Sequence, residues 1–321
     1  MNDSELIRAI EAEYSNTAGL AVRKNGKLIY EKYFDGHTET DTIHTFSVTK
    51  SITSLLVGMA IDKGYIRSVD QKVLEFFPDY AVKRGEKTIQ SITLKNLLTM
   101  TAPYKYKSEP YTKAFGSDDW TKAGLDLLGG KGTVGDFKYS TVGAQILSGV
   151  LQNAVGKPLL EFAAENLFTP LGISKPAPTT VDTKEAHIAF IKGRDARGWI
   201  VDPKGLPTAG WGLTLCPRDM AKIGQLCLNQ GTWEFKQLVS AAWIKESTKE
   251  HARWGEYSYG YLWWNFDQDG SGAFAALGDS GNTIYVNPRE QVVVAIACHF
   301  KPRAKLRIDL INQYILPQLK D

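Results

Sequence analysis

Ser47 and Lys50 stand three residues apart in Thr45-Phe46-Ser47-Val48-Thr49-Lys50-Ser51, just ahead of an apolar-periodic stretch. In a helix, that spacing puts both side chains on one face, one above the other. A serine hydroxyl is a weak nucleophile until a neighbouring base takes its proton. A lysine can serve when burial and positive surroundings lower its pKa. The helix N-terminus adds a partial positive field and free backbone N–H groups, and the Ser47 amide can donate to an oxyanion. The chemistry such a pair could do is nucleophilic attack by Ser47. The competing reading is a plain helix cap at Ser47 with Lys50 in solvent, because this four-residue pattern also arises by chance.

The elements that must position these groups are legible in outline. The helix after Ser47 carries Ile52, Leu55, Leu56 and Met59 on one face, with Gly64 as its stop. Residues 3–14 read as a first helix, capped by Ser4 and striped by Leu6, Ile7 and Ile10. Asn25-Gly26 between two apolar runs predicts a hairpin with strands over 18–24 and 27–34. Toward the C-terminus, 257–266, 272–277, 283–286 and 291–299 favour strands through β-branched and aromatic residues, and 304–319 reads as a helix. Two strands from the start and about three from the end then share one antiparallel sheet covered by terminal helices. The middle holds short helical patterns at 94–100, 142–155, 159–168 and 217–230. The expected fold is α/β (α+β): a sheet domain from 1–61 and 246–321, with 62–245 as a mainly helical insertion completing the cleft.

Composition excludes several classes. The 321 residues suggest about two domains. The 38 basic and 35 acidic residues leave a formal charge of +3 with no long basic run, which argues against nucleic-acid binding driven by bulk charge. Cys216, Cys227 and Cys298 are odd in number and far apart, which fits reduced thiols. The start shows no charged region followed by an apolar one, and the apolar stretch Leu55–Ile61 is far short of the ~20 residues that span a bilayer. A cytoplasmic protein with no membrane partner is expected.

Beyond these readings, the chain resembles the serine β-lactamase and penicillin-recognising superfamily, most closely the class C β-lactamase-type branch with its esterases and 6-aminohexanoate-oligomer hydrolases. The resemblance rests on Ser47-Val-Thr-Lys50, on Phe137-Lys-Tyr139-Ser140-Thr141-Val-Gly143 in the place of the Tyr-x-Asn element, and on Leu277-Gly278-Asp279-Ser280-Gly281-Asn282 in that of the Lys- or His-containing strand. Connecting segments in family order support it: Leu97–Thr101, Gly210–Met220 and Tyr259–Trp264. The resemblance implies a β-lactamase/transpeptidase-like fold and no metal or cofactor. It makes Ser47 the acylated nucleophile, Lys50 its proton acceptor and Tyr139 the relay to the leaving group and later to water. A tyrosine's ordinary pKa near 10 makes it a poor base unless positive charge lies nearby, which Lys50 would supply. The second oxyanion donor is placed at the Asn282 backbone amide, opposite the Ser47 amide, with Ser280 and Gly281 along the pocket.

Two departures bear on substrate. Thr141 stands where the family has Asn, so a hydroxyl replaces an amide. Asp279 stands where the family has Lys or His. An anion there repels a substrate carboxylate, which favours a neutral ester, or an amide carrying a positive amine, over antibiotics. The leading expectation is a serine hydrolase of a small ester or amide acting through acyl-Ser47. A true β-lactamase or D-amino-acid peptidase, and a weakly active acyl-binding homologue, are the alternatives.

The remaining candidates carry less. Gly278-Asp279-Ser280-Gly281 also looks like the nucleophile loop of trypsin-like proteases, but that chemistry needs an all-β fold with a placed His and Asp. His37, His44, His187, His251 and His299 show no metal-ligand spacing. The Gly129–Gly135 loop reads as a mobile cleft loop rather than a phosphate cradle, and Tyr104–Lys107 as a solvated loop near the cleft. Trp199, Trp211, Trp263 and Trp264 are candidates for the cleft wall.

Overall fold

The computed structural model describes residues 3–194 and 196–319. In chain order its main elements begin with α1 (Asp3–Glu13), β1 (Thr17–Lys24), β2 (Lys27–Tyr33), α2 (Val48–Asp62), α3 (Thr141–Val155) and α4 (Pro217–Leu228). Six strands follow: β3 (Ala252–Trp254), β4 (Tyr257–Tyr259), β5 (Trp264–Asn265), β6 (Phe274–Gly278), β7 (Asn282–Asn287) and β8 (Val292–Cys298). A helical segment then begins as Arg307–Leu310 and continues in wider and tighter turns to Leu319. Among the described residues no helix is long and apolar enough to cross a membrane.

The eight strands form one sheet in the order β2-β1-β8-β7-β6-β5-β4-β3, and every neighbouring pair is antiparallel. The Asn25-Gly26 turn joins β1 to β2 with both residues at positive φ, 49° and 79°, which a two-residue hairpin of this hand requires. β1 pairs along its length with β8, from Thr17 opposite Cys298 to Lys24 opposite Val292, so the two ends of the chain meet in mid-sheet.

Side chains alternate across this sheet. Val293, Ala295 and Ala297 of β8 enter a core shared with α2, α3 and α4, whereas Val292, Val294, Ile296 and Cys298 enter a second core under α1 and the C-terminal helical segment. α4 packs directly on β1, β7 and β8. A third, aromatic cluster joins Phe115, Trp120, Phe190 and Trp211.

Three local expectations are corrected. Ser4 lies inside the first turn of α1 rather than ahead of it. α2 is not amphipathic at the surface: residues 48–60 are all buried. Its polar members are satisfied instead, Ser51 Oγ donating to the Leu262 carbonyl at 2.6 Å and Thr53 Oγ1 to that of Ala209 at 2.9 Å. The stretch 257–266 is also not one strand. Residues 260–263 leave the ladder between β4 and β5, Leu262 takes φ 63°, and its amide donates to the Leu98 carbonyl.

Candidate active site

Ser47 occupies the N-cap of α2, yet its side chain makes no capping bond. Its Oγ instead accepts from Lys50 Nζ at 3.0 Å. Phe46, immediately before it, holds φ 50°, uncommon for a bulky residue, with its ring stacked 3.9 Å from His44. This elbow presents Ser47 to the cleft. Lys50 is 1% exposed, and its other contacts are the Gly210 carbonyl at 2.8 Å and Thr141 Oγ1 at 3.2 Å. Nζ thus lies within hydrogen-bond distance of three neutral oxygens, and among the described residues no carboxylate pairs with it.

The second wall starts at the N-terminus of α3. Ser140 caps it, accepting from the Gly143 amide at 2.7 Å, so Thr141 is the first helical residue and Tyr139 stands just outside. Glu109, which the sequence reading missed, supports this corner: its Oε1 accepts from Ser140 Oγ at 2.7 Å and from the Val142 amide at 2.8 Å. A carboxylate at a helix N-terminus is favourably placed against the dipole. Tyr104 and Tyr106 stack behind it, and Tyr106 bonds Ser140 Oγ at 2.7 Å, so this segment is packed structure rather than a solvated loop. The Tyr139 ring lies with its centroid 4.8 Å from Lys50 Nζ and stacks on Trp264 at 6.2 Å. The side chain reaches Lys50 through its ring face.

The third wall is the end of β6. A Cβ on Gly278 would lie 2.2 Å from the Thr45 carbonyl oxygen and 3.2 Å from the Ser47 amide, so the strand passes Ser47 as closely as a backbone can. Ser47, Tyr139, Thr141, Leu277, Gly278 and Asp279 line a cleft of about 510 Å³, with Trp254, Tyr257, Trp264 and Leu306 around it. The aromatic wall is therefore Trp264 with two residues not singled out in the sequence. Trp199, Trp211 and Trp263 are buried in the cores.

Three residues of the third motif sit elsewhere. Asn282 is fully buried, its side-chain Nδ2 donating to the Asp279 and Cys298 carbonyls and its Oδ1 accepting from the Cys298 N–H. Ser280 is 7% exposed, and its hydroxyl accepts from the Lys301 amide at 2.9 Å instead of facing the pocket. Gly281 packs on Arg307. Positive φ at Ser280 and Gly281, 69° and 97°, turns the chain after Asp279, and it is the Gly278 end of β6 that passes the Ser47 amide. The Gly129–Gly135 loop is also outside the cleft lining, tied by hydrogen bonds to Pro103, Glu86 and Thr101.

Comparisons with known proteins find similarity over most of the chain. A 6-aminohexanoate-dimer hydrolase of Paenarthrobacter ureafaciens is 23% identical over 305 residues, spanning 88% of this chain and 72% of that protein. The octameric penicillin-binding protein homologue from Pyrococcus abyssi superposes with TM-score 0.73 at 20% identity, covering 99% of this chain and 78% of its own. A D-stereospecific amidohydrolase from Streptomyces sp. does so at 0.66 and 15%, covering 93% and 94%. The sequence model of the Beta-lactamase family matches residues 6–314, and the chain belongs to that family.

Proposed function

We propose that the protein is a serine hydrolase that cleaves a small ester or amide through an acyl-Ser47 intermediate. The observation that carries this reading is the Ser47 hydroxyl, unused as a cap and 3.0 Å from the buried Lys50 amine at the floor of a cleft. Ser47 Oγ attacks the substrate carbonyl carbon while its proton passes to the lone pair of Lys50 Nζ, which enters the step as the neutral amine and leaves it as the ammonium. The oxyanion sits between the amides of Ser47 and Asp279, the latter at the strand end that passes Ser47. The proton then moves to the departing alcohol or amine, with the Tyr139 phenol turning from its ring-face contact toward Nζ to relay it, and the carbonyl re-forms on Ser47. Water adds to the acyl-enzyme by the same route in reverse, the acid leaves, and Ser47 regains its proton.

The cleft also narrows the substrate. Tyr139, Trp254, Tyr257 and Trp264 offer an apolar wall for an acyl or leaving group. Asp279 has no basic side chain within ion-pair distance among the described residues, which disfavours a substrate carboxylate. A panel of p-nitrophenyl esters, D-amino-acid amides and nitrocefin tests this. Turnover of the esters or amides well above nitrocefin, lost in Ser47→Ala, supports the reading; nitrocefin as the best substrate contradicts the exclusion of carboxylates.

A further inference from the structure

Arg307 is the largest fully buried charged side chain among the described residues, and the proposed mechanism leaves it unused. It is 0% exposed, and among the described residues no carboxylate lies within ion-pair distance of it. A buried cation without a counter-ion is costly and needs its donors satisfied. Arg307 Nη1 donates to the Lys305 carbonyl at 2.6 Å, Nη2 donates to Asn16 Oδ1 at 2.7 Å, and the guanidinium lies 4.9 Å over the Tyr14 ring. Nη2 is also 3.5 Å from the Ser280 carbonyl oxygen.

Asn16 completes the connection. Its Nδ2 donates to the Ser280 carbonyl at 2.8 Å and to that of His299 at 2.8 Å. The Ser280 peptide belongs to the turn that leaves β6 directly after Asp279, with φ 69° and 97° at its two central residues. Gly281 matches this on two counts: its φ, and a guanidinium carbon 2.6 Å from where a Cβ would stand. A turn in such a conformation persists only where its surroundings hold it.

We infer that Arg307 and Asn16 are positioning residues for catalysis. They pin the Ser280–Gly281 turn from behind and so fix the Asp279 amide opposite Ser47. The planar guanidinium reaches Lys305, Asn16 and Ser280 from one rigid fork, which a lysine ammonium does not reproduce. The inference rests on the acyl-Ser47 reading.

The test uses the full-length protein and variants Asn16→Ala, Arg307→Lys and Ser47→Ala, with p-nitrophenyl butyrate as substrate and phenylboronic acid as a tetrahedral anionic mimic on Ser47. The expected result is at least a tenfold fall in kcat for Asn16→Ala and Arg307→Lys, with KM within threefold of wild type. Boronate affinity should fall by the same factor as kcat, a correspondence that mere loss of folded protein does not produce. If Arg307→Lys does not fold, Asn16→Ala carries the test alone. An unchanged kcat in folded Asn16→Ala, or a lowered kcat with unchanged boronate affinity, overturns the inference while leaving the serine mechanism in place. Turnover that survives in Ser47→Ala removes both.

Discussion

Lys50 is bound by three neutral oxygens and Ser47 is free of any capping duty, so each carries a separable expectation. Replacing Lys50 by Met removes the proton acceptor and should lower kcat by about 10²–10⁴, the usual worth of general base catalysis; steady-state kinetics read this directly. Tyr139→Phe keeps the ring on Trp264 but removes the phenol, so kcat should drop by about 10² or more while KM stays within a few-fold. Equal kcat would show that Tyr139 serves only as a wall. Ser47 and Lys50 were legible because helical spacing alone brings them together. Ser280 lies off the cleft lining because two positive-φ residues in one turn reverse the direction of the chain, and it is not a residue type that announces this. Glu109 was invisible because its partners lie 31 and 33 residues away.

At the scale of elements, the site depends on how closely β6 passes the start of α2. Gly278→Ala places a methyl 2.2 Å from the Thr45 carbonyl oxygen, and either the strand or the elbow must shift. Activity should fall at least tenfold, with far smaller change in thermal stability; kinetics beside a melting curve check it. His44, on the short strand before the elbow, adds a pH dependence. Burial pushes its pKa down to about 3, and its Nε2 accepts from the Gly212 amide at 3.0 Å. Between pH 6.5 and 3 the unfolded chain binds a proton there that the folded chain does not. Stability is therefore full above pH 6.5 and erodes as the pH falls, by on the order of 2 kcal/mol from this group at pH 5. His44→Gln retains an acceptor without the titration, so its loss in urea stability from pH 7 to 5 should be smaller by about that amount. Identical slopes for the two proteins would exclude the effect. Long elements were easy to anticipate, whereas β3, at three residues, gives too little alternation to detect, and the break between β4 and β5 left no mark in a run rich in aromatics.

Across the whole molecule, both ends of the chain build the sheet that carries the site. Sequence patterning foresaw this, because the Asn25-Gly26 hairpin and the β-branched C-terminal runs each present faces that need a partner. The full width of eight strands and the docking of α4 on the sheet were not legible, since both depend on long-range packing. The second core is held from outside by the C-terminal segment, in which Leu310 is fully buried. Leu310→Ala should cost about 2–5 kcal/mol in urea denaturation, and a loss below 1 kcal/mol would place that segment outside the cooperative fold. The central claim remains that this assembly exists to make Ser47 a nucleophile. Its most direct measurement is intact-protein and peptide mass spectrometry after exposure to a fluorophosphonate probe. One equivalent of probe on the peptide containing Ser47, absent in Ser47→Ala, is the expected result; no adduct at Ser47, or labelling at another serine, would contradict it.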